Sequence, residues 1–329
     1  FAAVRTVDTA GNKSEITVGS HGWQNLFCPV GYIKIHGNET PGLGGPNYYH
    51  GSRTRVDGIP RLVADFCVMK YEAKIKFDTE LELTGVVNYG SIDTSKLKPI
   101  SVPNGKPWTI IKKTAIDGIG INYNAQHACA SVGLGFQLIN NAQWQTIARD
   151  IELTKTNWYD SSDTTLASNT LNNGFTTGSE PLAANDNDQY GCIGSGDVIE
   201  DCNPQWQPTK RTHNLKGGAV IWDFAGNVAE WVFDELISLN YEGSHSKFIT
   251  EAYSNDLRWG PMGDHSAKIP SINYSYGGMG YFDVTGSSNQ IVVRGGKIGN
   301  GNNAGIFAVT LSDSVGENDN IGFRCVYAP

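Results

Sequence analysis

The chain has 329 residues and 39% hydrophobic content, enough for one large domain with a small appendage. Its net charge of −8, without a Lys/Arg run or a basic aromatic stripe, argues against nucleic acid and anionic membrane surfaces as partners. The 39 Gly, 8 Trp and 14 Tyr beside 18% charged residues predict long ordered loops packed by aromatics, with few helices.

The opening FAAVRTVDTAGNKSE alternates small apolar and polar residues, turns at Asp8 to Asn12 and heads into a second strand. It resembles the last two strands of a fibronectin type III module. Because the chain opens at Phe1 with no signal peptide in view, the expectation is a piece of a longer modular protein. Residues 1–18 are then the end of a stalk module or a linker, and 19–329 the main domain. From Trp23 a short strand and a Gly/Pro/Asn loop lead to RLVADFCVMKYEAK, a stronger strand with Phe66, Val68 and Lys70 on one side, expected to be central. Residues 74–126 carry β-leaning pieces broken by Gly and Pro, with no helical period, and read as irregular.

YNAQHACASVG reads as a helix closed by Gly133. The next segment, NNAQWQTIARDIE, is a second helix capped by Asn140 or Asn141, with Trp144, Ile147, Ala148 and Ile151 on one apolar stripe. Residues 160–215 are rich in Asn, Asp, Ser, Thr and Gly, a loop of a length that implies function or a tether. Cys192 and Cys202 are a candidate tether. The six cysteines, Cys28, Cys67, Cys129, Cys192, Cys202 and Cys325, form no CxxC; their even number favours disulfides and leaves the pairing open. No apolar run approaches the roughly 20 residues of a membrane span.

Three segments together resemble one family, in order and spacing from the FCVMKYEA strand to the end. GFQLINNAQWQTIAR (135–149), GGAVIWDFAGNVAEWVFD (217–234) and VVRGGK…GFRC (292–325) are similar to motifs of the formylglycine-generating enzyme and sulfatase-modifying-factor family. The resemblance implies an α+β, loop-rich C-type lectin-like fold with two helices and small twisted antiparallel sheets. It implies a Cys129–Cys325 disulfide, and Cys28–Cys67 and Cys192–Cys202 are carried as the accompanying pairs. It further implies a structural Ca²⁺ held by Gly226, Asn227 and Val228 through backbone or amide oxygens and by the Glu230 carboxylate, a hard oxygen set.

The enzymes of that family hold copper on cysteines between the RGG and GFR motifs, where soft thiolates suit Cu(I). Residues 297–324 contain no cysteine, so neither copper nor oxidase chemistry is expected. The seven His show no metal-ligand spacing, and no G-x-S-x-G elbow occurs. GNGNNAG (299–305) leads into GIFAVTL, which alternates like a strand instead of opening a helix, so a phosphate loop is not expected. Asp223, Glu230 and Asp234 read as structural acids before they read as an acid–base pair. A poorer calcium candidate is DNDQYGCIGSGD, with Asp186, Asp188, Gly191 and Asp197 at EF-hand-like places.

Between its fixed ends, 297–320 is a permissive stretch of short polar side chains. Arg294 and Arg324 are expected to pair with buried carboxylates, and Ala304, Gly305, Phe307 and Leu311 to point inward. Ile298, Asn300, Asn302, Asn303, Ile306, Ala308, Thr310, Ser312 and Asp313 then form a surface, with Tyr281 as an aromatic anchor upstream. Adaptable polar groups beside aromatics are the chemistry of binding loops. The same frame is similar to the C-type-lectin-like variable proteins of diversity-generating retroelements and to bacterial surface adhesins, in which this segment is the ligand surface. The expectation is a non-catalytic extracellular domain at a fibre tip, possible as a homotrimer, binding a cell-surface glycan or protein. The alternative is an oxidoreductase of the same fold with a different site.

Overall fold

The structure, a computed structural model, describes residues 26–37, 63–77, 80–82, 96–111, 124–158, 171–188, 191, 209–235, 246–248, 260, 278–283, 291–312 and 320–329. The expected stalk at 1–18 and the pair Cys192 and Cys202 lie outside them.

One sheet joins the two ends of the described chain. Strands β1 (Tyr32–Ile35) and β2 (Phe66–Met69) pair antiparallel, as do β2 and the last strand. β2 is central and buried at every residue, as the FCVM run requires. β3 (Lys74–Phe77), β4 (Glu80–Glu82) and β5 (Leu97–Ile100) follow as a three-stranded antiparallel sheet in the order β4-β3-β5. This corrects the irregular reading of 74–126. KIKF and LKPI are too short and too lysine-rich to register as strands, yet they bury Ile75 and Leu97 against Trp108.

Helix α1 (Ala125–Ala130) is capped by Asn124, whose Oδ1 accepts from the His127 N–H. β6 (Phe136–Leu138) then joins the first sheet. Helix α2 (Asn141–Leu153) starts at Asn140 with a reciprocal capping box to Gln143. Its stripe of Trp144, Ile147, Ala148 and Ile151 is fully buried. Trp144 stacks on Phe224 at 4.0 Å, and its Nε1 donates to the Ile306 carbonyl.

β7 (Thr212–Asn214) and β8 (Val220–Trp222) form a hairpin. The second large sheet is built from β9 (Ala229–Glu235), β10 (Ser246–Phe248), β11 (Tyr281–Asp283), β12 (Ile291–Arg294), β13 (Val309–Ser312) and β14 (Ile321–Phe323). Its order is β10-β11-β13-β12-β9-β14, with β11/β13 and β9/β14 parallel. The last strand, β15 (Cys325–Tyr327), crosses back to lie between β2 and β6. Disulfides Cys28–Cys67 and Cys129–Cys325 secure that first sheet and α1. Among the described residues the result is the α+β arrangement of two helices and several small sheets expected from the sequence, with mixed rather than purely antiparallel pairing in the larger one.

Candidate ligand-binding site

The permissive stretch is not one surface. After β12, Gly295 and Gly296 take φ of 85° and 75°, and a Cβ on Gly296 would meet the Ala304 Cα at 2.6 Å, so glycine is required there. Residues 297–303 then form an outward turn. Asn300 Oδ1 accepts from the Lys297 N–H at 2.8 Å, and Asn303 N–H donates to the Asn300 carbonyl at 2.9 Å. Two neighbouring stretches pin the turn. Ile298 N–H donates to the Asn227 carbonyl at 3.1 Å and Gly299 N–H to the Thr176 carbonyl at 2.9 Å. Asn173 Nδ2 reaches the Gly301 carbonyl at 3.1 Å.

The assigned residues separate accordingly. Asn302 and Asn303 are exposed and Asn300 half-buried. Ile298, Ile306 and Ala308 are 8%, 0% and 1% exposed, a correction to their place on the surface. The alternation fails because 304–309 does not run as a half-exposed strand. It passes under Trp144 and beside Met279, whose carbonyl accepts the Phe307 N–H, and every residue of it is buried. Thr310 is half-buried and Ser312 lies in the ladder of β13, flanked by β11 and β12. Tyr281 is half-buried on β11, and Asp313 lies outside the described residues.

A second stretch, missed in the sequence, lies beside the turn. Phe175 bridges Gly226 in parallel, and Gly174 fits only as glycine because a Cβ would lie 1.7 Å from the Ala225 carbonyl oxygen. Thr177, Ser179 and Glu180 follow, all exposed, with Glu180 held 2.7 Å from Lys106. The signal was the length of the Asn/Ser/Thr-rich loop; what it lay against was not legible.

Beneath these turns is a buried charge cluster. Arg324 Nε contacts both Glu230 oxygens at 2.7 and 3.0 Å, and its two Nη groups bond the carbonyls of Met69, Lys70, Trp222 and Asp223. Arg211 makes a bidentate pair with Asp223 at 2.6 Å through Nε and Nη2, and bonds the carbonyls of Leu182 and Ala183. Glu72 accepts from Asn227 Nδ2 at 2.6 Å and from the Val228 N–H at 3.2 Å. Lys74 Nζ stands 3.9 Å from Glu72. Burial pushes the Glu72 carboxyl up to about 8 and the Lys74 ammonium down to about 8. Arg294, by contrast, bonds Gln145 Oε1 and the Phe307 carbonyl.

The residues assigned to calcium do not fit it. A guanidinium holds both Glu230 oxygens, Asn227 Oδ1 accepts the Leu182 N–H at 2.9 Å, and the Asn227 carbonyl accepts the Ile298 N–H. The side-chain oxygens a divalent cation would need are thus committed to N–H donors. In the acidic loop, Asp186 accepts from Lys70 Nζ and the Tyr71 hydroxyl, and Asp188 from the Gly191 N–H, while Asp197 lies outside the described residues. Asp223 and Glu230 are each held by a guanidinium, Arg211 and Arg324 respectively. Among the described residues, no three His, Cys, Asp or Glu side chains gather to hold a metal. An apolar cleft of about 550 Å³ is walled by Pro29, Val30, Tyr32, Pro99 and Phe136, and none of the assigned binding residues lines it.

No family model matches the chain, and no curated protein matches it. Among solved structures it is similar to Treponema denticola variable protein 1, at 13% identity over 91% of this chain and 95% of that one, with a TM-score of 0.40. It is similar to PvdO from Pseudomonas aeruginosa at 15% identity, covering 91% and 92% of the two chains, with a TM-score of 0.38. The M1 variant of the Major Tropism Determinant gives 13% identity and a TM-score of 0.34, over 85% of this chain and 54% of the other.

Proposed function

We propose that this chain is a non-catalytic, extracellular ligand-binding domain of an adhesin or fibre tip. It reads a cell-surface glycan or protein through the 297–303 turn and the adjoining 177–180 stretch. The observation that carries this reading is the pairing of a pinned backbone with outward side chains. Main-chain bonds from Asn227 and Thr176 and the Asn173 amide fix the turn, while the Asn302 and Asn303 carboxamides face solvent. Carboxamides and hydroxyls offer both donors and acceptors, which suits vicinal hydroxyls or a peptide backbone. Two disulfides favour an oxidising compartment. A homotrimer is the assembly a fibre tip implies, and native mass measurement reads it directly.

The test is a glycan-array and cell-surface screen of the chain against Asn302→Ala/Asn303→Ala. These side chains are exposed, so the variant keeps the parent's melting temperature and loses binding at least tenfold, one or two hydrogen bonds' worth. Equal binding by parent and variant removes the turn from recognition.

A further inference from the structure

Lys74 is buried, with its side chain 1% exposed, and Nζ has no hydrogen-bond partner. A buried ammonium without a hydrogen-bond acceptor is an expensive state, and such a group stays in a core only with a compensating role. Its ion-pair partner Glu72 presents Oε2 at 3.9 Å, and that same oxygen accepts from Asn227 Nδ2 at 2.6 Å. An amine and a primary carboxamide therefore face one carboxyl oxygen, in an interior where all three residues are fully buried. The Asn227 amide is oriented by the Leu182 backbone. Oδ1 accepts the Leu182 N–H at 2.9 Å and Nδ2 donates to the Leu182 carbonyl at 3.1 Å.

We propose that Lys74 and Asn227 are a modification site at which the chain cross-links itself, forming an isopeptide bond between Lys74 Nζ and Asn227 Cγ with Glu72 as the proton carrier. The structure holds the groups before reaction. Glu72 takes a proton from the Lys74 ammonium, leaving a neutral amine. The Nζ lone pair adds to Cγ, and the developing Oδ1 charge falls on the Leu182 N–H, a donor already in place. Glu72 gives its proton to Nδ2, the freed carboxylate takes the surplus proton from Nζ, the C–Nδ2 bond breaks, and Glu72 passes that second proton to the departing ammonia. Lys–NH₃⁺ and Asn–CONH₂ become one secondary amide and NH₄⁺, with Glu72 returned as carboxylate and no oxidant or cofactor consumed. The shared burial that lowers the lysine and raises the glutamate favours the proton exchange that starts the sequence. Flexibility in the lysine stem lets Nζ close on Cγ, and the full burial of Glu72, Lys74 and Asn227 shields Cγ from bulk solvent. The bond would tie β3 to the Gly226–Asn227 turn, whose carbonyl pins the candidate binding turn at Ile298.

The experiment is intact-mass spectrometry of the fully reduced chain, followed by a tryptic map. The expected mass lies one ammonia below the sequence mass, with cleavage lost after Lys74 and its peptide joined to the one carrying Asn227. Lys74→Arg and Glu72→Gln each restore the full mass. The full sequence mass in the folded parent overturns the proposal. So does an ammonia deficit confined to a linear peptide across Asn227, which marks a cyclic imide. A link that still forms in Glu72→Gln overturns the role given to the carboxyl. Parent mass and map decide the bond even where a variant does not fold.

Discussion

Arg324 shows how one residue organises a site. Its five N–H donors meet both oxygens of Glu230 and four carbonyls from two further stretches, so the GFR ending holds β2, the Trp222–Asp223 corner and β9 in register. Replacing it with Met leaves Glu230 buried and unpaired, and the expected loss in urea unfolding is about 3–5 kcal/mol. Acid titration gives a second residue-scale prediction. Burial lifts the Glu72 carboxyl from the ordinary 4.5 to about 8 and Glu230 to about 7. The folded state binds these protons more tightly than the unfolded chain. Their contribution is therefore complete below the unfolded value and is lost as pH rises through the folded one. His213, pushed down to about 4 by burial, acts in the opposite sense but only between that value and its ordinary 6.5. Between pH 6.5 and 8 the carboxyls dominate, so the melting temperature falls across that window, and Glu72→Gln flattens the fall.

Among the elements, α2 was legible because every local signal agreed. Asn140 caps, Gln143 reciprocates, and the stripe of Trp144, Ile147, Ala148 and Ile151 keeps helical spacing. Asn140→Ala removes the side-chain acceptor for the Gln143 N–H, and chemical denaturation is expected to show a loss of about 1 kcal/mol with ligand binding unchanged. Strands β3 and β5 were not legible, since four-residue segments with lysines lack a period long enough to read. The segment 304–309 misled for a different reason. Alternation in AGIFAVTL suggests one wet face, but Trp144 and the Gly278–Gly280 backbone cover that face. Period-2 spacing reports a half-buried strand only when one side meets water.

The whole molecule is closed by its C-terminal strand. β15 sits between β2 and β6, and Cys325 ties it to α1 across 196 residues of sequence, against 39 for Cys28–Cys67. By loop-closure entropy the longer link is worth about 5 kcal/mol and the shorter about 4 kcal/mol. Cys129→Ser/Cys325→Ser should therefore lower the unfolding midpoint further than Cys28→Ser/Cys67→Ser, as read by urea titration of each pair. The buried residues Glu72, Asn227 and Arg324 gather in one charge cluster from three distant parts of the chain.

By itself the sequence determined what depends on neighbours along the chain: the two helices and the Asn140 cap of α2, the central FCVM strand, the glycines of the RGG turn and the absence of thiolates between the RGG and GFR motifs. The Cys129–Cys325 link, implied by the family resemblance, is also formed. Only the tertiary structure decided which half of the permissive stretch faces water, that Glu230 answers to a guanidinium, and that Lys74 is sealed beside Glu72 and Asn227. Those outcomes turn on burial and on distant partners, Arg324 for Glu230 at 94 residues and Asn227 for Glu72 at 155, and no local period encodes which distant group will arrive.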